Sequence, residues 1–237
     1  MQHKVALQHG VAHLWALTQT FLKEFKMDYL NKQSTFTKVG LGAIIFGLVF
    51  LVSGAANAAE PAAWTSVTAH GKLSNGMSLT IEEELRYTGV DLASQTSRHT
   101  DVAIGTTVAG LDVTLGHRNS NGSADRNYVG VAKDLGTIAG WSAEVATAVE
   151  LFSNDTVRNR TGFSATKNEA VAGFTPYLST EFFLTDKGDL TSNRTTCGLA
   201  KAINATTAFD VWYQTDTDMA GDAAATSAVG FGLNLAL

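Results

Sequence analysis

The side chains in this sequence best able to do chemistry are charged ones set two residues apart. Glu82, Glu84 and Arg86 form one such run. Glu150 is followed by Arg158 and Arg160, and then by Glu181 and Arg194. A spacing of two puts side chains on one face of an extended strand. On neighbouring strands ~4.8 Å apart, acid and base would alternate within ion-pair reach. Such a set can fill a narrow interior with salt bridges, because a buried charge left alone is costly. It can also line a passage and select a small solute by charge. Asp101 and Arg118 would lie close to the first run.

Catalysis has weaker support. Beyond residue 58 the histidines are His70, His99 and His117. Alternation puts His99 on the same face as Asp101 and His117 on the opposite one. There is no G-x-S-x-G segment, and no spacing singles out one serine. A His and an Asp two residues apart do not make a metal site. The sequence predicts no catalytic residue, no metal, no cofactor and a chain that is not an enzyme.

The elements that must position these charges are strands. From Ser227 to Leu237 the chain reads SAVGFGLNLAL, with Val229, Phe231, Leu233, Leu235 and Leu237 at every second place. That gives one apolar face and one small or polar face. Lipid is the natural cover for such a face. Ten candidate strands follow the same rule, over 77–87, 99–109, 111–118, 127–133, 140–152, 158–167, 175–184, 194–203, 208–215 and 226–237. The fold expected is all-β, an antiparallel up-and-down transmembrane barrel of about ten strands, with eight to twelve allowed.

In 77–87 the alternation sends Leu79, Ile81 and Leu85 out and Glu82, Glu84 and Arg86 in. Glu83 breaks it, and a local bulge is expected there. Lys133 and Lys201 also face out, near strand ends from which they could reach lipid headgroups. The connections tend to alternate in length, with short turns on the periplasmic side and longer polar loops outside. An even strand count would then put both barrel ends in the periplasm. Residues 64–72 are left as a periplasmic lead-in or a segment tucked against the lumen.

The first quarter of the chain carries an address. Lys38 precedes the apolar run VGLGAIIFGLVFLV, and Ala56-Asn57-Ala58 is an A-x-A cleavage pattern. The run is shorter than the ~20 residues a spanning helix needs. Residues 27–58 read as a signal peptide cut after Ala58, and 1–26 as an over-extended start. Residues 59–76 then form the lead-in and 77–237 the barrel. Cleavage removes five of the 17 basic and two of the 22 acidic residues, leaving twelve and twenty and a net charge near −8. That argues against nucleic acid as a partner. The single cysteine, Cys197, excludes an internal disulfide.

The stretch PYLSTEFFL and the segment NRTTCGLAKAINATTAFDVWYQTDTD after it, with the closing GFGLNLAL, resemble a family of uncharacterised bacterial outer-membrane barrels. The matching residues are Pro176, Tyr177, Glu181, Phe183, Arg194, Gly198 and Tyr213. The closing strand is similar to the C-terminal signal strands of such barrels, although it ends in Leu. The resemblance implies fold and address and adds no mechanism.

The functional expectation is therefore an outer-membrane barrel, either structural or a narrow selective passage with a charge-paired lumen. The expected partners are outer-membrane lipid, the barrel-assembly machinery acting on residues 227–237, and a small solute. A soluble periplasmic β-sandwich or lipocalin-like binder is the alternative. An outer-membrane lipid-modifying enzyme is the lesser one.

Overall fold

Strands form wherever apolar and polar side chains alternate, because each face then receives one kind of residue. In chain order they are β1 (Ala62–Lys72), β2 (Ser78–Thr88), β3 (Ser94–Val108), β4 (Leu111–Asn121), β5 (Arg126–Ile138) and β6 (Trp141–Phe152). β7 (Val157–Lys167), β8 (Thr175–Thr185), β9 (Leu190–Ala202), β10 (Thr207–Asp218) and β11 (Thr226–Ala236) complete the set. The computed structural model describes residues 62–89, 92, 94–219 and 225–237. The expected signal peptide and the segment before it lie outside the described residues.

Consecutive strands pair antiparallel from β1–β2 to β10–β11. β1 also pairs with β11 in parallel, with Ala62 opposite Ala228 and His70 opposite Ala236. The sheet closes into a barrel. Closure leaves no sheet edge to satisfy, which is the condition for a sheet to cross lipid.

The seam brings the strand count to eleven, within the eight to twelve expected, and removes the even parity. Residues 64–72 are neither a periplasmic lead-in nor a segment tucked against the lumen; they belong to β1, which makes the eleventh strand of the ring. An odd number closes here because the last ladder is parallel. β1 and β11 start at the same rim, so Ala62 and Leu237 lie at opposite rims. Leu237 N donates to His70 O at 2.8 Å and fastens the chain end to β1.

Loop length also departs from expectation. β3 begins at Ser94 and β9 at Leu190, several residues before the apolar alternation starts. The expected long loops before β3 and β9 are thus largely taken up into strands, whereas the connection 219–225 stays long. The connections 122–125, 153–156 and 186–189 at the Ala62 rim are no longer than 168–174 and 203–206 at the Leu237 rim. Loop length therefore does not orient the barrel. Two turns at the Leu237 rim are two-residue hairpins, Ala109-Gly110 (φ 51° and 76°) and Ala139-Gly140 (φ 53° and 79°). Left-handed conformations at both central residues match the twist of the flanking strands.

The outside is mainly apolar, with the Glu83–Arg98 pair as a charged exception, and the inside is charged. Leu115 is 54% exposed, Leu199 47% and Phe231 43%, whereas Glu150 is 0% exposed. That inverts the usual order of a water-soluble domain. It sets aside the sandwich, whose apolar faces would meet across a core, and the lipocalin-like binder, whose interior would be apolar. A closed ring with an apolar exterior and a charged interior is the architecture of an outer-membrane barrel. Its place is the outer membrane.

Candidate functional site

The ion-paired side chains of the lumen gather in one layer across it, in the half nearer the Ala62 rim. Glu150 is its centre. It sits near the end of β6, opposite Arg158 of β7 and Tyr128 of β5. Arg158 Nε donates to Glu150 Oε2 at 2.7 Å, and its Nη2 lies 2.5 Å from the same oxygen. Glu150 Oε1 faces Arg126 Nη1 at 3.4 Å and Arg160 Nε at 3.5 Å. Three guanidiniums from two strands thus surround one carboxylate.

From there the pairing continues strand to strand. Arg160 Nη1 reaches Glu181 Oε1 of β8 at 3.3 Å. Glu181 Oε2 lies 3.9 Å from Arg194 Nη1 of β9. Arg194 holds Asp216 of β10 with two bonds, at 2.8 and 3.1 Å. A second group covers the opposite wall. Arg118 donates to Asp101 at 2.8 Å and lies 3.7 Å from Glu82, while Tyr128 Oη donates to Asp101 at 2.6 Å. Arg86 binds Glu84 at 2.8 Å.

Aromatic rings tie the two groups together. The Arg86 guanidinium lies over Trp64 of β1 at 3.8 Å, and Arg194 approaches the same ring at 5.7 Å. Phe183 lies under Arg158 and Arg194 at 4.5 and 5.3 Å. Stacked guanidiniums lose freedom to turn away, so the rings hold the ion pairs in place.

All eight charges expected from the sequence, Glu82, Glu84, Arg86, Glu150, Arg158, Arg160, Glu181 and Arg194, face the lumen in this layer. Sequence reasoning missed Arg126 and Asp216, which fall just outside the strands it drew. It also missed Trp64, assigned to the lead-in, and the inward rings of Phe152 and Phe183. The signal was available for Phe183, which is two residues from Glu181 and so shares its face.

Below the layer, on the seam side, further side chains meet across the lumen wall. Tyr177 Oη donates to Asp210 at 2.8 Å, and Asn234 Nδ2 donates to the other oxygen of Asp210 at 2.9 Å. The Tyr177 ring covers Gly198 on β9, and the Trp212 ring covers Gly230 on β11. A Cβ on either glycine would collide with the ring above it.

The remaining expectations resolve as follows. His99 is buried between two hydroxyls, with Nδ1 3.0 Å from Ser120 Oγ and Nε2 3.2 Å from Ser97 Oγ. His117 faces out and meets Asn127 at 2.9 Å. Glu83 needs no bulge, since the irregularity in its ladder lies between Arg86 and Tyr87. It points outward, pairs with Arg98 and accepts from Thr100 Oγ1 at 2.7 Å. Arg98 is not visible as a partner in the sequence because it lies in the polar start of β3, ahead of the apolar alternation. Among the described residues no cluster of three or more His, Cys, Asp or Glu side chains is arranged to hold a metal.

No family model matches the chain, and no curated protein matches it. Among solved structures it is similar to OmpTdeltaL8, a loop L8 deletion mutant of OmpT, an outer membrane protein of Vibrio cholerae. That match has 14% identity and a TM-score of 0.34, over 68% of this chain and 63% of the other. Outer-membrane expressed OmpT of Vibrio cholerae matches at 15% identity and a TM-score of 0.31, over 60% of this chain and 54% of the other. The chain thus spans less than two thirds of the length of these structures. The resemblance to uncharacterised outer-membrane barrels stands at the level of fold. One expectation is corrected here. With outer-membrane OmpT proteins as the matching structures, the exclusion of enzymatic activity is withdrawn, and no activity is assigned in its place.

Proposed function

We propose that this protein is an outer-membrane barrel whose lumen is closed to solutes by the arginine–carboxylate layer, and that its role is structural. The observation that carries the reading is Glu150, a carboxylate 0% exposed inside the ring and held by Arg126, Arg158 and Arg160. An open aqueous pore through this layer would leave that carboxylate wet, whereas exposure is confined to its partners, such as Arg158 at 30% and Arg160 at 27%. Barrels of about eight strands are just wide enough for side chains to fill them, and those of about 16–18 leave an aqueous channel. At eleven strands, closure depends on the long arginine and carboxylate side chains of this layer. Export through cleavage after Ala58 fits a first strand that starts at Ala62. The outward apolar row of β11 is what an assembly machinery would read.

A second reading, the narrow selective passage, has one observation in its favour. Asp112, Asp134 and Glu144 face the lumen toward the Leu237 rim and have no ion-pair partner among the described residues. A wall of this kind would favour cations.

The test is swelling of vesicles carrying the refolded barrel, in solutions of small sugars and of small cationic and anionic amino acids. A closed lumen admits none of them. Entry of cations alone supports the second reading, and entry of sugars contradicts both.

A further inference from the structure

We propose that Lys133, Lys167 and Lys201 form a collar on the outside of the barrel that binds the phosphates of anionic phospholipid. The inference rests on the membrane placement given above and adds which lipid the outer surface selects.

The three lysines lie on β5, β7 and β9, the alternate strands that run toward the Leu237 rim. Lys133 is opposite Val145, Lys167 opposite Trp141 and Lys201 opposite Phe209, all in the outward rows of their ladders. The outward side chains one step further into the membrane are apolar on the same strands or their neighbours: Val131, Ala165 and Leu199. The collar therefore marks the level at which the apolar band gives way to the headgroups.

Each ammonium is held at the rim by a partner that leaves its charge uncancelled. Lys133 Nζ donates to Gly110 O at 3.0 Å, in the turn between β3 and β4. Lys167 Nζ lies 5.7 Å from the Trp141 ring centre, and Lys201 Nζ 5.1 Å from that of Phe174. A turn carbonyl and two ring faces attract a cation and position it without neutralising it. Among the described residues none of the three has a carboxylate at ion-pair distance, whereas Arg86, Arg98, Arg118, Arg126, Arg158, Arg160 and Arg194 all have one. The fold thus pairs each of these arginines with a carboxylate and, among the described residues, leaves these three lysines without one at one level of the outer wall. A lipid phosphate is the anion available at that level. It is also a group that Lys meets as a compact point charge with rotatable donors.

The test compares heat-induced unfolding of the refolded barrel, read as loss of the compact band on a gel. One set of vesicles is pure phosphatidylcholine and the other contains phosphatidylglycerol. The wild-type chain should hold its compact form to a higher temperature in the anionic vesicles, and high salt should erase that gain by screening. Lys133→Gln, Lys167→Gln and Lys201→Gln together should abolish the gain, and single variants should reduce it. Lys187→Gln, in the 186–188 turn at the opposite rim, should leave it intact. Equal behaviour of the wild type in both vesicles would overturn the proposal. So would a gain that survives the triple change, or one that Lys187→Gln removes equally. Should the triple variant fail to refold, the salt response and the single variants decide. Failure of the wild type to insert into either vesicle overturns the membrane placement itself, and the collar with it.

Discussion

Glu150 and Arg158 face each other across the β6–β7 ladder, and two nitrogens of the guanidinium reach one carboxylate oxygen at 2.5 and 2.7 Å. The pair is one link of a chain that runs from Arg126 on β5 to Asp216 on β10. Neighbours in such a chain share partners. Loss of the central carboxylate is therefore felt on both sides of it.

Glu150→Ala leaves Arg126, Arg158 and Arg160 facing one another with no anion between them. Removing one member of a buried pair costs about 3–5 kcal/mol. The expected outcome is a large fall in the urea midpoint of the refolded barrel, read from its compact band. Glu150→Gln should fall less, because it keeps the volume and one acceptor. A midpoint unchanged by Glu150→Ala would show that the layer is not what holds this half of the lumen.

The parallel seam predicts a cross-link. Ala69 is opposite Leu235, and both belong to the outward row. With Cys197 replaced by Ser, Ala69→Cys and Leu235→Cys should join under mild oxidation. The boiled, unreduced chain should then run faster than the reduced one. A lead-in lying free of the ring would give no such product.

Much of this fold could be read directly from the sequence, and the reasons are local. Leu79 and Ile81 against Glu82 and Glu84 show the period of two without ambiguity, and the barrel follows once several strands repeat it. The lumen charges were legible for the same reason, since Arg158 and Arg160 share a face with any inward residue opposite them. β1 was not legible as a ring member. Its outward residues Thr65, Val67 and Ala69 are too small and mixed to signal a lipid face, and a parallel partner 166 places away in sequence leaves no turn signal. The starts of β3 and β9 were missed because Ser94–Arg98 and Leu190–Asn193 are mostly polar on both faces. Near a rim, strand residues need not be apolar on either side.

Tyr177 and Gly198 give a packing prediction. The tyrosine ring lies flat across the glycine and sends its hydroxyl to Asp210. Gly198→Ala puts a methyl group into the ring, and overpacking of this kind costs about 1–3 kcal/mol. The urea midpoint should fall accordingly. Adding Tyr177→Ser to Gly198→Ala should recover part of the loss, because the ring that collides is gone. Full tolerance of Gly198→Ala would mean that the ring does not rest on that strand.

The closed lumen is tested most directly by single-channel recording of the refolded wild-type barrel in a planar bilayer, beside Glu150→Ala. A lumen sealed by the Glu150 layer predicts insertion without steady conductance in the wild type. It predicts irregular openings once the carboxylate is removed. A stable, ohmic conductance from the wild-type barrel would contradict it, because water and ions would then already pass through the layer that Arg126, Arg158 and Arg160 close around Glu150.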